Sequence, residues 1–212
     1  MPVGELPILE ILIRQLKAAG CSEIILAVGY LAQLIQAYCG DGSRWGVLIR
    51  YSYEKEPLGT AGPLGLIEGL DSPFLVMNGD VLTSLDFRQF YRFHLEQGAI
   101  ATICLYKSIV KLNLGVVQLG ELGKIVDYVE KPSLEYQVST GIYVFNPDIL
   151  SDIPKGGYLD LPDLMRGLIA REVPIRPFLF DGVWLDIGNP GDYEKAVELF
   201  VENPHAILPS ES

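Results

Sequence analysis

Two aspartates stand where chemistry could be done. Asp80 ends the run Phe74-Leu75-Val76-Met77-Asn78-Gly79-Asp80, and Asp186 lies inside Trp184-Leu185-Asp186-Ile187-Gly188. Both fall where a strand should end, and in open α/β sheets ligands bind beyond the carboxyl ends of the strands. Large apolar neighbours make an idle carboxylate costly to bury, and Gly79 would let a ligand approach the backbone. Each acid alone reads as a loop or capping aspartate; the two together favour one hard divalent cation held between them. Glu130-Lys131-Pro132 closes the run Ile125 to Val129, and Pro132 predicts a bend there. Lys131 could then neutralise a phosphate while Glu130 accepts hydrogen bonds from sugar hydroxyls, or the two could form an exposed ion pair. Glu54-Lys55-Glu56-Pro57-Leu58-Gly59-Thr60-Ala61-Gly62 reads as a strand-to-helix turn whose small residues let backbone N–H groups face a ligand.

Positioning these residues requires an ordered scaffold, and its rhythm is legible. Ile8 to Leu16 crowd apolar residues on one broad face until Gly20, which predicts a mostly buried helix. Ile24 to Val28 is apolar on both faces, as in a parallel sheet. The pattern continues with a helix over Leu31 to Tyr38, a strand over Val47 to Tyr51, a helix after Thr60 and a strand over Phe74 to Met77. Beyond the helix Asp86 to Gln97, the strands Ala99 to Tyr106, Gly115 to Leu119, Lys124 to Val129 and Gly141 to Phe145 follow with short connections, so this half is more antiparallel. A helix over Leu161 to Arg171, a strand over Ile175 to Phe180 and a helix from Pro190 to Glu202 complete it. The whole is an α/β chain with one domain over residues 1–203 and a frayed tail over 204–212.

Composition narrows the possibilities. The 212 residues carry 16 basic and 27 acidic side chains, a formal charge of −11, and no basic cluster, so nucleic acid is excluded as a partner. The longest apolar runs are of strand length, far short of the ~20 residues that cross a bilayer. Cys21, Cys39 and Cys104 lie far apart, with neither metal-ligand nor disulfide spacing, which fits a reduced, cytoplasmic setting. No signal sequence opens the chain. His94 and His205 have no nucleophile to pair with and read as structural or solvated. The glycine-rich Cys39 to Gly46 runs from helix to strand, the wrong order for a phosphate loop.

In order along the chain, Pro2-Val3 with Pro7, Glu56-Pro57-Leu58-Gly59-Thr60-Ala61, Asn78-Gly79-Asp80, Gly115-Val116-Val117, Glu130-Lys131-Pro132, Ser139-Thr140-Gly141-Ile142-Tyr143 and Trp184-Leu185-Asp186-Ile187-Gly188 resemble the sugar-1-phosphate nucleotidylyltransferases. The likeness is greatest to the mannose-1-phosphate guanylyltransferase-like branch. It implies a Rossmann-like nucleotide-diphospho-sugar transferase fold, a mixed central sheet flanked by helices. It also implies transfer of a nucleotidyl group from an NTP to a sugar 1-phosphate, in the biosynthesis of a sugar nucleotide such as GDP-mannose, and it is compatible with a homo-oligomer. By the same resemblance Asp80 and Asp186 hold Mg²⁺, Lys131 meets the sugar phosphate, and these three are catalytic. Gly115, Glu130 and Thr140 line the sugar; Glu54, Gly59 and Thr60 bind the nucleotide. A carboxylate at Glu54 favours guanine, which offers N1–H and N2–H₂ side by side as donors.

Members of that family normally begin with a strand and a Gly-Gly-x-Gly-Thr-Arg-Leu-x-Pro loop, and no such stretch stands in this sequence. Its N-terminal strand and phosphate loop are missing, so the resemblance implies a chain of low or no turnover and a sheet whose remaining strands have unpaired edges. The competing expectation is a non-catalytic sugar-nucleotide sensor or a regulatory subunit of an active paralogue.

Overall fold

The computed structural model describes residues 2–204 and 207–208. A two-stranded turn, β1 (Pro2–Val3) and β2 (Leu6–Pro7), opens directly into α1 (Ile8–Ala18). Then follow β3 (Glu23–Val28), α2 (Ala32–Cys39), β4 (Leu48–Tyr53), β5 (Phe74–Met77), β6 (Val81–Thr83) and α3 (Phe87–Gln97). The second half holds β7 (Ala101–Lys111), β8 (Val116–Leu119), β9 (Ile125–Val129), β10 (Ser133–Phe145), α4 (Leu161–Ala170), β11 (Ile175–Phe180), β12 (Trp184–Asp186) and α5 (Pro190–Glu202). The helix expected after Thr60 is only a tight 3₁₀ turn over Gly62–Leu66, since Pro63 and two glycines in five residues leave little to sustain an α-helix. The short strands β6 and β12 carry too few residues for a period to show.

The central sheet is mixed, with order β11-β7-β10-β5. β10 runs antiparallel to both β5 and β7, while β11 runs parallel to β7. β3 and β4 form a separate parallel pair, and β6 pairs antiparallel with β12. Among the described residues β5 pairs only with β10 and β3 only with β4. All four residues of β5, Phe74-Leu75-Val76-Met77, are therefore only half-buried, although their types suit a strand enclosed on both faces.

Among the described residues no strand pairing joins these sheets to one another; α1 does it by packing. Ile8 and Ile11 lie against Leu82, Ile187 and Ala196, and Ile13 against Ile24, Val47 and Ile49. Leu16 touches that second group and also the one built by Phe90, Cys104 and Ile142. A helix buried on several sides needs apolar residues nearly all round, which is what Ile8-Leu9-Glu10-Ile11-Leu12-Ile13 supplies. Its one acid, Glu10, is buried and accepts hydrogen bonds from Arg14 and from the Tyr38 hydroxyl. Burial pushes its carboxyl up, but Tyr38, Arg14 and Trp45 together hold it below the usual carboxylate range. Arg44, stacked over Trp45 at 3.7 Å, completes the cluster. Ile207, in the stretch expected to fray, is buried in the α1 cluster, and its carbonyl accepts from Gln15 Nε2 at 2.8 Å. His205 lies outside the described residues.

His94 is structural, as its surroundings in sequence suggested. It is buried on α3, with Nδ1 2.8 Å from the Thr102 hydroxyl and Nε2 3.3 Å from Asn146 Oδ1. Burial depresses its pKa, against a smaller upward pull from Asn146. The folded chain holds the ring neutral, so unfolding takes up a proton wherever the free ring is charged, and the His94 contribution weakens as pH falls below about 6.5. Thermal melts between pH 7.5 and pH 5 should show a falling midpoint, and His94→Gln, which has nothing to protonate, should flatten that slope; an unchanged slope would refute the assignment.

Candidate functional site

The pairing of β6 with β12 brings the two aspartates together. Asp186 lies opposite Val81 in the register, and the Ile187 N–H donates to the Asp80 carbonyl at 3.0 Å. A Cβ built at Gly188 would stand 3.2 Å from Asp186 Oδ1 and 3.6 Å from Asp80 Oδ2, so both carboxylates border the small volume beside this glycine. Both acids are exposed, and a Cβ at Gly79, just before Asp80, would meet nothing within 4 Å. The Gly188 N–H donates to Asp186 Oδ1 at 3.1 Å, which fixes that carboxylate and leaves its second oxygen free of this bond. Two convergent carboxylates without His or Cys suit a hard cation such as Mg²⁺, which takes one or two carboxylates and fills its remaining positions with water and phosphate oxygens. Among the described residues no group of three or more His, Cys, Asp or Glu assembles, so any such ion would depend on ligand oxygens.

One wall of this region is the bulge in β10. The register slips between Ser139 and Tyr143, and Gly141 takes φ +74°, with Asn78 packed where its Cβ would be, at 2.8 Å. The Asn78 N–H donates to the Gly141 carbonyl at 3.1 Å, tying the segment before Asp80 to the bulge. Trp184 donates through Nε1 to the Thr140 carbonyl at 3.0 Å, tying in the segment before Asp186. Thr140 itself does not face a sugar: its hydroxyl is buried and donates to the Cys104 carbonyl at 2.9 Å. A polar group enclosed beside β7 must find a partner, and the nearby carbonyl is it.

The Glu54 to Gly62 turn departs from expectation. Glu54 stands at the ends of β3 and β4, its N–H donating to the Val28 carbonyl at 3.0 Å and its Oε2 accepting from the Leu58 N–H at 2.9 Å. A Cβ at Gly29 would lie 3.9 Å from Oε1. Gly59 has φ +77°, and a Cβ there would come within 2.6 Å of the Leu159 carbonyl and 2.8 Å of Asp160 Oδ1. The chain's own backbone, rather than a nucleobase, demands this glycine. The N–H groups of Ala61 and Gly62 both donate to the Leu159 carbonyl, at 2.8 and 2.9 Å, and the Thr60 N–H donates to Asp160 Oδ1 at 3.0 Å. The Thr60 hydroxyl accepts from the Leu161 N–H at 2.8 Å, in the first turn of α4. These amides are therefore engaged and do not face a ligand. Asp160, which no local pattern singles out, anchors the clasp; its carboxyl is held low by the Tyr158 hydroxyl and by Thr60.

Gly115, Glu130 and Lys131 form a second group. A Cβ at Gly115 would collide with the Tyr128 hydroxyl and approach Glu130 Oε2 to 3.1 Å, and Tyr128 donates to that same Oε2 at 3.3 Å. Lys131 Nζ lies 4.0 Å from Glu130 Oε1, both side chains well exposed, so the expected bend holds an exposed ion pair. Lys131 takes φ +46° directly before Pro132, a strained backbone for a residue with a side chain. Between it and Thr140 runs continuous strand, Ser133 to Ser139 paired with Lys111 to Leu105. At about 3.3 Å per residue the paired stretch alone is roughly 20 Å long, and Lys131 lies beyond its outer end. The structure thus joins Asp80 with Asp186, and Gly115 with Glu130 and Lys131.

Comparison with known proteins agrees with the fold. The chain belongs to the nucleotidyl transferase family, which it matches over residues 1–203. It is 36% identical over 217 residues to a UTP–glucose-1-phosphate uridylyltransferase of Synechocystis, covering 93% of this chain and 56% of that one. It is 34% identical over 221 residues to a mannose-1-phosphate guanyltransferase of Yarrowia lipolytica, covering 98% and 60%. The chain therefore spans a little over half the length of these curated relatives. The crystal structure of HddC from Yersinia pseudotuberculosis superimposes with a TM-score of 0.72 at 25% identity, covering 94% of this chain and 88% of that one.

The two glycines make opposite demands. Gly59→Ala should destabilise the fold by about 1–3 kcal/mol, because it adds a clash with rigid backbone to an unfavourable φ. Gly79→Ala, with open space around it, should leave urea-unfolding midpoints close to the parent's. Equal midpoints for the two variants would show that the turn is not clamped on Leu159 and Asp160.

Proposed function

We propose that this chain is the catalytic portion of a sugar-1-phosphate nucleotidylyltransferase, taking an NTP, with GTP preferred, and a sugar 1-phosphate, with mannose 1-phosphate preferred. The observation that carries the proposal is the convergence of Asp80 and Asp186 on the volume at Gly188, within a family whose members handle nucleotides. An oxygen of the sugar phosphate attacks the α-phosphorus in line; the bond from that phosphorus to the bridging oxygen breaks, and pyrophosphate leaves. No general base is needed, since a phosphate monoester with a second pKa near ~6 is already ionised at neutral pH. Asp80 and Asp186 would hold Mg²⁺, which would supply neutralisation of phosphate charge. Lys131 meets the sugar phosphate, and Glu130 accepts from the sugar hydroxyls beside Gly115. The strained backbone at Lys131 suits a residue shaped for a task other than stability.

Glu54 supports guanine. Its Oε2 already holds the Leu58 N–H, which sets the carboxylate's orientation, and Oε1 is left to accept from a base. Guanine presents two adjacent donors to such a group, uracil one donor between two acceptors. The relatives include both a uridylyltransferase and guanylyltransferases, so the base is the finer part of the proposal. One observation favours the second possibility, a sensor that binds the sugar nucleotide without turnover: the amides of Thr60 to Gly62 are engaged within the chain, and no Lys or Arg of the chain pairs with Asp80 or Asp186 among the described residues.

Calorimetry of GDP-mannose and UDP-glucose binding, with and without Mg²⁺, tests both parts. We expect Mg²⁺-dependent binding that Asp80→Asn and Asp186→Asn each weaken by about tenfold or more; affinity indifferent to Mg²⁺ would remove the metal from the proposal. Glu54→Gln should narrow the preference for GDP-mannose by roughly tenfold, the worth of one hydrogen bond to a charged group, whereas an unchanged ratio would clear Glu54 of reading the base. Pyrophosphate release from GTP and mannose 1-phosphate separates enzyme from sensor: binding without release in any condition would favour the sensor.

A further inference from the structure

Asp160 stands at the start of α4, where an aspartate ordinarily accepts a hydrogen bond from the second or third amide of its own helix. Here it makes no such bond. Oδ1 instead accepts from the Thr60 N–H and, at 3.3 Å, from the Thr60 hydroxyl, while Oδ2 accepts from the Tyr158 hydroxyl at 2.6 Å. Thr60 in turn takes the Leu161 N–H on its hydroxyl oxygen, so the two segments exchange partners across a hundred residues of chain. The side of this exchange that belongs to α4 is rigid, since Leu161 and Leu164 are buried in one core with Ala61 and Leu64. A carboxylate that leaves its own helix to grip a distant turn is placed for the turn.

What the turn positions is Glu54. Back along the chain from Thr60, Gly59 is pressed on the Leu159 carbonyl and Asp160 Oδ1, and the Leu58 carbonyl accepts from the Leu159 N–H at 2.9 Å. The Leu58 N–H is then the donor that Glu54 Oε2 accepts. Residues 58 to 60 are thus fastened to 159 and 160, and the first of them holds the Glu54 side chain. The Glu54 backbone is fixed separately, through its N–H on the Val28 carbonyl, so the bond from Leu58 acts on the direction of the carboxylate alone. A carboxylate held by one oxygen presents the other in a set direction. Guanine and uracil differ at this edge in the number and order of their donors, and telling them apart requires that direction to be kept by the groups behind the one that touches the base.

We propose that Asp160, braced by Tyr158, is a positioning residue for base preference: it holds residues 58 to 60 so that the Leu58 N–H aims Glu54 at the paired donors of guanine. This rests on the reading of Glu54 given above. Calorimetric dissociation constants for GDP-mannose and UDP-glucose, both with Mg²⁺, give a ratio in which a general loss of folded protein or of metal binding cancels. Asp160→Ala should narrow that ratio by at least about threefold, the lower range of coupling within one hydrogen-bonded network. Asp160→Asn, which keeps a carbonyl oxygen for the Thr60 N–H, should restore most of the preference. In a Glu54→Ala background Asp160→Ala should change the ratio no further, because no carboxylate is left to aim. A residue that only stabilises the turn would lower the melting midpoint and both affinities alike; an unchanged ratio, or an equal effect with and without Glu54, overturns the proposal. Tyr158→Phe, on an exposed side chain, gives a second measurement that does not require Asp160→Ala to fold: the Leu58 and Thr60 amides should exchange hydrogen faster and the ratio should narrow in the same direction, and no change in either counts against it. Glu54→Ala by itself separates the two proposals. If the parent has no preference, or Glu54→Ala leaves it untouched, both fall; if Glu54→Ala narrows it and Asp160→Ala does not, only the role of Asp160 falls.

Discussion

The rest of the structure depends on the burial of α1. Its helix contributes to the clusters under the β3–β4 pair, the β6–β12 pair and the central sheet alike. Because none of these sheets shares a strand with another among the described residues, their relative placement rests on apolar contact and not on backbone hydrogen bonds. Such contact is non-directional and scales with area, so the helix can hold three differently oriented groups only by being apolar nearly all the way round. Its buried acid, Glu10, is tolerated because Arg14, Tyr38 and Arg44 surround it; a buried carboxylate without such partners would be among the most destabilising features a core can have.

From that placement the carboxylate pair follows. β6 and β12 are three residues long and would not persist alone, yet Leu82 and Ile187 are locked against Ile8 and Ile11 of α1, and the pairing of these two short strands then puts Asp80 and Asp186 side by side. Side-chain to backbone bonds do the finer adjustment. Trp184 reaches the Thr140 carbonyl and Asn78 meets the Gly141 bulge, so the segments that carry the two acids are both fastened to β10. Membership of the nucleotidyl transferase family accords with this frame, in which acids sit beyond the carboxyl end of β5, where open α/β sheets bind ligands.

Glycine serves three separate needs in this chain. At Gly188 it leaves room beside two carboxylates, at Gly141 it permits a positive φ in a bulge pressed against Asn78, and at Gly59 it allows the turn to close on the Leu159 carbonyl. A sequence shows all three as small residues next to polar ones and cannot tell a glycine that admits a ligand from one that admits the chain itself. Gly59 and Thr60 illustrate the difference: the residues that face their amides, Leu159 and Asp160, lie a hundred positions away, and no local pattern points to them.

What the sequence determined was whatever depends on local periodicity and residue type. The broad apolar face of α1, the two-faced strands β3 and β5, the change to antiparallel pairing after α3, the bend at Pro132 and the position of Asp80 at a strand end are written in neighbouring residues. Tertiary structure alone decided which of these meet. It extended β7 and β10 into one arm by pairing Lys111 with Ser133, with Lys131 just past its outer end, and it turned the Thr140 hydroxyl into the core. It also made β6 and β12 into strands by giving each the other as a partner. The reason is physical: periodicity reports which face a side chain shows, whereas the distance between two residues far apart in sequence is set by packing, where many weak contacts of no local signature add up.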